Sequence, residues 1–459
     1  MTAVLVKGGT VVTSTETLKA DVRVENGRIA GVGADLSSHE AHIIDATGKL
    51  VLPGGVDVHT HFNLEVGGLK VADGFHEGTR SAACGGTTTI VEHPGFTEDG
   101  SITAPIANYR KQAQNNCVTD YALHGVVAKV GENTKDDLAA LVREGIPSVK
   151  VYMTYAGRLN DEEMIRVLEI MKAEHGLVTV HAENHEVIAE LTRRLKDEGR
   201  LAPTSHPLSR PGYCEAEAVE RMIALSRAAG NAPLYIVHLS TGAGLEAIRR
   251  AKAEGLPVYA ETCPQYLLLT DDEYAREGDD ALKYVLSPPL RKREDCEALW
   301  QGLADGSIDT VATDHCSFNL SQKTARGRDN IFACPGGIPG AETRLPLLYS
   351  EGVAKGRITL NRFVELVSTA PARIMGLAPA KGDIAPGADA DIVILDPERK
   401  VTISPETLCH NADYNPYEGF VATGWPETVL LRGEAIIENN EFREREALGR
   451  FIERSRFTE

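Results

Sequence analysis

The chain lacks any stretch of about 20 consecutive apolar residues, the length a helix needs to cross a bilayer. Its opening residues, MTAVLVKGGTVVTS, carry no extended apolar core between a basic head and a small-residue cleavage site. A secretory leader is therefore not expected, and the cytoplasm is the expected compartment. Positive charge is in deficit: 48 Lys+Arg stand against 66 Asp+Glu, a formal net charge of -18. That balance argues against nucleic acid and against an anionic membrane as partners. CxxC pairs are missing as well. The eight cysteines, at 84, 117, 214, 263, 296, 316, 334 and 409, are scattered, which predicts reduced thiols, not a disulfide framework or a zinc knuckle. Short-period repeats and low-complexity segments are absent. What remains is 459 residues with 42% hydrophobic and 25% charged side chains. This is the composition of a soluble globular enzyme with one large α/β domain and a smaller one.

Two patterns alternate along the chain. The first fifty residues carry short β signals separated by turns, with Asn26-Gly27 a strong two-residue hairpin turn. After Leu377 the pattern returns in KGDIAPGADADIVILDPE and TVLLRGEAII, the latter turning at Arg432-Gly433. Neither end can build a good core alone, so residues 1–52 and 378–459 are expected to pair into one small, β-sandwich-like domain. Between them, residues 53–377 alternate strand and helix. Strand signals fall at 54–61, 87–93, 121–128, 148–154, 177–184, 234–240, 257–263 and 309–315. The clearest helix runs from Asp161 to His175, capped by Asn160 with Glu163 completing a capping box and Gly176 following. Eight strands alternating with helices suggest an α/β fold of the (β/α)8 barrel type.

In such a barrel, functional groups sit at the C-terminal strand ends. Five of the eight strands carry a metal-ligand residue type near that end. The first ends in His59 and His61, the fourth carries Lys150, the fifth and sixth carry His181 and His238, and the eighth gives Asp314. Residues two apart in an extended segment share a face, so both imidazoles of the HxH pair can hold one ion. Each of these residues also has a bland explanation: a surface histidine, a hydrogen-bonded core histidine, a helix-capping aspartate. Jointly those explanations require five coincidences at one end of one barrel.

The fourth strand, SVKVYMT, places Lys150 in mid-strand, where an unpaired ammonium is costly. It could end the strand and snorkel to water. Four histidines and one aspartate are a lean ligand set for two divalent ions, however, and an ammonium has no lone pair to offer. Reaction of the amine with carbon dioxide would make Lys150 a carbamate (N6-carboxylysine), an anionic two-oxygen ligand able to bridge two metals.

The stretches GGVDVHTHFN, RSAACGGTTTIVEH, SVKVYMTYAG, VTVHAEN, GNAPLYIVHLS, ETCPQYLLL, LSPPLR, VATDHCSF and HNADYNPYEGF resemble the hydantoinase/dihydropyrimidinase branch of the amidohydrolase superfamily. The likeness runs from residue 54 to 420 and continues into the tail. It implies a binuclear site in which His59, His61 and Asp314 bind the more buried metal. His181 and His238 would bind the second, with carboxylated Lys150 between them. Zinc suits this donor set, and manganese, cobalt or iron can replace it. The resemblance also implies that Tyr155 donates to the developing oxyanion and that Ser287 contacts the ring imide. A third substrate contact comes from backbone in CPGGIPG, where Gly336 stands in place of the family's usual Asn. Two metals about 3.5–4 Å apart acidify a bridging water, and the resulting hydroxide would open a ring amide to an N-carbamoyl amino acid. Asp314 would carry the proton to the leaving nitrogen.

The expected substrates are hydantoins with an aryl or alkyl group at position 5, or dihydrouracil. The run Phe62 to Gly67 is expected to shape the pocket for the substituent. Allantoin remains an alternative. Dihydroorotate loses ground because position 63 is Asn, where its hydrolases typically carry arginine. A non-catalytic scaffold relative is the alternative of a different class, disfavoured by the complete ligand set. His93, His124, Glu183 and His185 near strand ends and Cys316 are expected to be structural. A homotetramer is the assembly the resemblance implies.

Overall fold

The computed structural model describes residues 3–444 and 447–458. Residues 1–2, 445–446 and 459, which fall within the spans expected to form the small β domain, lie outside the described residues.

Both chain ends meet in one nine-stranded sheet. Ile392–Thr402 joins the two, pairing antiparallel with Leu50–Pro53 on one side and with Val421–Leu431 on the other. The hairpin turns sit where two-residue turns need positive φ. Asn26 and Gly27 have φ of 52° and 77°, and Arg432 and Gly433 have 48° and 77°. Alternating apolar residues such as Val6, Val22, Ile29, Val51, Ile392 and Ile394 build a separate core beneath this sheet.

The middle of the chain is a barrel of eight parallel strands. They are Gly55–Thr60, Thr87–Glu92, a third broken at His124 into Asp120–Leu123 and Gly125–Val126, then Ser148–Tyr152, Leu177–His181, Leu234–Ile236, Val258–Thr262 and Thr310–Val311. Closure comes from the segment after the eighth strand: Thr60 bridges His315 in parallel, and the Asp314 amide donates to the His59 carbonyl at 2.9 Å. The strands are apolar on both faces because helices cover the outside and packed side chains fill the inside.

Local signals in the sequence set the helix boundaries. Asp161–Ala173 is held at its start by a complete capping box, Glu163 N to Asn160 Oδ1 at 3.0 Å and Asn160 N to Glu163 Oε2 at 2.9 Å. Met164, Val167, Leu168 and Met171 form its buried stripe. The helix stops two residues before the expected His175, which instead adopts φ of 56° and leads out through Gly176.

The tail leaves the β sheet after Phe442 and crosses under the barrel. Arg450 O accepts from Tyr121 N at 2.9 Å, and Phe457 N donates to His175 O at 2.7 Å. No helix among the described residues is long and apolar enough to cross a membrane.

One expectation is corrected. Cys84 and Cys409 form a disulfide across 325 residues of sequence, while the remaining six cysteines are free. Cys84 ends the helix Phe75–Cys84, and Cys409 lies in the loop that returns over it. Residue spacing could not reveal the pair, because only the fold brings a barrel helix against a loop near the far end of the chain.

Candidate metal centre

The five strands singled out above converge at the barrel mouth. His59 Nε2 and His61 Nε2 stand 3.1 and 3.2 Å from the same oxygen, Asp314 Oδ1. This is the shared face expected of an HxH pair at a strand end. Lys150 Nζ lies 3.4 Å from His59 Nε2. The His181 and His238 rings meet edge to face with centroids 4.5 Å apart, and the His238 ring centroid is 5.4 Å from that of His59. Three residues here are held in left-handed backbone: Tyr155 at φ 71°, Asp314 at 53° and His238 at 39°. Non-glycine residues enter that region at a cost, and such positions concentrate at functional sites.

Buried carboxylates fix how the imidazoles point. Glu261 Oε1 takes the His59 Nδ1 at 2.7 Å, which turns Nε2 toward Asp314 and Lys150. Glu261 is itself held by the Tyr235 hydroxyl and the His238 amide, each at 3.0 Å. Glu183 Oε2 accepts from His181 Nε2 at 2.8 Å, which leaves the ring's lone pair on Nδ1. Arg210 pairs with the same Glu183 oxygen, and its guanidinium also lies 5.4 Å from the centre of the Tyr155 ring. Outer partners of this kind set ring orientation and tautomer at metal sites.

Electrostatics favour the ligating forms. Burial pushes His59 and His238 well below the usual imidazole range, so both are neutral near pH 7. Burial also brings the Lys150 ammonium down to about 8, against the pull of Asp314 and Glu261. The neutral amine, which is the form that reacts with carbon dioxide, is thus within reach near neutral pH. Lys150 is 1% exposed, and among the described residues its only hydrogen-bond-range partner is His59 Nε2. The Nδ1 atoms of His61 and His238 and both nitrogens of His93 are buried without partners among the described residues. Each such orphan costs about 1–3 kcal/mol. Neutral imidazoles with unshared lone pairs beside a carboxylate are cation ligands, so the donor set fits a metal centre.

The expected substrate residues line one side of this cluster. The Tyr155 ring lies 5.0 Å from that of His181, and the Ser287 side chain is among the groups that lower its phenol pKa. Tyr155 is 36% exposed at the mouth, and its surroundings as a whole raise the phenol, so it stays a proton donor near neutral pH. A Cβ built on Gly336 would meet Leu286 Cα at 3.7 Å and Ser287 Oγ at 3.8 Å, ordinary contact distances. An Asn would fit there, and the glycine leaves the loop's place beside Ser287 intact. In the run expected to shape the pocket, Phe62 is fully buried against the His315 ring at 5.0 Å. Only the later part, with Val66 exposed in the Glu65–Val66 and Leu69–Lys70 hairpin, faces outward.

The model of the amidohydrolase family matches residues 50–436. The chain belongs to the amidohydrolase family. Within it, the chain is 46% identical to a D-phenylhydantoinase of Escherichia coli O1:K1 / APEC over 456 residues, 99% of this chain and 98% of that one. Among solved structures it superposes on the dihydropyrimidinase of Brevibacillus agri NCHU1002 with a TM-score of 0.98, at 40% identity and full coverage of both chains. It also matches the L-hydantoinase (dihydropyrimidinase) of Arthrobacter aurescens with a TM-score of 0.91, at 32% identity, over 99% of this chain and 100% of that one.

Some residues of this amidohydrolase's mouth escaped the sequence. His93 was expected to be structural, yet its ligand atom lies within 4.8 Å of those of His59 and His61. Its ring stacks on His124 at 4.0 Å, and His124 is tied to Val58 O at 3.0 Å and Ser148 Oγ at 2.6 Å. Glu261 gave no signal, because a glutamate in ETC matches no ligand spacing. Its partner relation to His59 exists only across the barrel.

Proposed function

We propose that this chain opens the ring amide of 5-substituted hydantoins and dihydropyrimidines to N-carbamoyl amino acids. The observation that carries the proposal is Lys150: a lysine sealed in the barrel without a carboxylate partner, ringed by His59, Asp314, His181 and His238. Carboxylated by carbon dioxide, Lys150 would add an anionic oxygen ligand to the site. His59, His61 and Asp314 would hold one divalent ion and His181 with His238 the other, zinc suiting the donors. Bound there, such a pair supplies the Lewis acidity that activates water and polarises the scissile carbonyl.

The chain's own groups do the rest. Tyr155 keeps its proton near neutral pH and donates to the carbonyl oxygen as negative charge develops there. Ser287 and the backbone at Gly336, side by side, fix the rest of the imide so that the ring carbon faces the centre. Asp314 Oδ1, between His59 and His61, accepts the water proton and returns it to the departing ring nitrogen. We further infer a cytoplasmic homotetramer; six of the eight cysteines are free thiols, with Cys84 and Cys409 the paired exception.

The test is a panel of 5-phenylhydantoin, 5-alkylhydantoins, dihydrouracil, allantoin and dihydroorotate, assayed at defined zinc loading. Turnover of the first three with two ions per chain is the expected result. A protein with well under one ion per chain and no ring opening would point to a scaffold, and preference for allantoin would reassign the substrate.

A further inference from the structure

A second sealed lysine lies beside the site and has no part in the metal centre. Lys323, on the helix Leu320–Gly327, is 0% exposed. Its Nζ donates to the Val285 carbonyl at 2.8 Å and to the Pro335 carbonyl at 3.1 Å. Both acceptors are neutral, and no ion pair to Lys323 occurs among the described residues. Burying an ammonium against neutral carbonyls alone, with no carboxylate to pair it, is costly. Here it spans two separate loops: Val285 is two residues before Ser287, and Pro335 adjoins Gly336.

The same two loops are stitched at one other point, where Gly337 N donates to Val285 O at 3.0 Å. Among the described residues, Lys323 is therefore one of two ties that keep Ser287 Oγ beside Gly336. Its helix is in turn anchored from outside. Asn319 and Gln322 form a capping box, Gln322 Nε2 donates to Lys70 O at 2.9 Å, and Leu320 N donates to Asp413 Oδ1 at 2.7 Å. A neutral side chain of similar length would fill the space but leave both carbonyls without this donor.

We propose that Lys323 is a positioning residue for substrate binding, holding the Ser287 and Gly336 segments at the spacing that grips the imide of a cyclic amide. This rests on the proposal that those two segments contact the substrate. The metal-loaded full chain is assayed with 5-phenylhydantoin as wild type, Lys323→Met, Lys323→Arg, Ser287→Ala and the Ser287→Ala/Lys323→Met pair. Metal content is measured for each. Lys323→Met is expected to raise KM about tenfold or more, the size of a lost charge-assisted hydrogen bond, with kcat and metal content close to wild type. Lys323→Arg, which keeps donors and charge, is expected to recover part of the loss. The double variant is expected to be little worse than the worse single one, since both act on one contact.

An unchanged KM in Lys323→Met while Ser287→Ala raises it would overturn the lysine's role and leave the substrate contact standing. No effect of Ser287→Ala would sink the substrate contact itself. Loss of metal and kcat together in Lys323→Met would assign it a merely structural role. If Lys323→Met does not fold, Lys323→Gln, which keeps N–H donors but not the charge, carries the same comparison.

Discussion

Lys150 and Lys381 are buried almost equally, 1% and 3% exposed, at opposite ends of one barrel. At the closed end, Lys381 Nζ sits between Asp120 at 2.6 Å, Asp391 at 2.7 Å and Asp389 at 3.1 Å. Those carboxylates hold its ammonium above the usual lysine range despite burial. At the open end, Lys150 has only a histidine nitrogen, and burial pulls it down to about 8. Burial alone therefore does not mark function. At the closed end the Lys381 ammonium is paired on three sides by carboxylates and joins barrel to β sheet. The open end keeps unpartnered nitrogens and left-handed backbone, groups that make sense only around something the polypeptide does not supply.

Breaking the open end should cost activity and not stability. In Lys150→Ala, hydantoin turnover is expected to fall at least about a thousandfold, since both water activation and carbonyl polarisation go with the metals. Metal content should drop with it, while the melting temperature of the metal-free protein holds or rises as a buried amine is removed. Breaking the closed end should do the reverse. Lys381→Met strands Asp120 and Asp391 in the interior and is expected to destabilise by about 3–5 kcal/mol in denaturant titrations, with turnover per folded molecule unchanged.

Two milder changes sharpen the contrast. Glu261→Gln keeps the shape around His59 but weakens the hold on its ring. Metal affinity by chelator competition is expected to fall about 10–100-fold. Asp73 lies near the mouth yet is fully partnered, by His315 Nε2 at 2.9 Å and Asn411 N at 2.7 Å, and should behave as a structural group. Despite burial, these partners bring its carboxyl from 3.8 down to about 2. In that window the folded state binds fewer protons than the unfolded chain. The stabilisation, about 2 kcal/mol, is therefore present above pH 3.8 and lost as pH falls toward 2. Asp73→Asn should be less stable than wild type at pH 5, and the gap should close toward pH 2.

Much of this was legible in the chain itself. Eight strand signals, the Asn26-Gly27 turn and the Asn160 capping box are local patterns, and local patterns survive into the fold. The convergence of His59, His61, Lys150, His181, His238 and Asp314 followed from one rule, that barrel strands present their C-terminal ends to a common mouth. What stayed hidden depends on contacts between distant segments. Glu261 reaches His59 across 202 residues, and Cys84 meets Cys409 across 325. Lys323 looks like an ordinary helical lysine in LSQKTARG until the structure seals it between two loops. The positive φ of Tyr155 has no sequence signature, and those of His238 and Asp314 have only the weak one that histidine and aspartate enter this region more often than other side chains.

A crystal structure of the zinc-loaded protein, read at the Lys150 side chain, addresses the bridging carbamate at its source. Density continuing past Nζ into a planar carboxylate is expected, with one cation among His59, His61 and Asp314 and another beside His181 and His238. A bare amine, or a single cation held without any contact to Lys150, would contradict it.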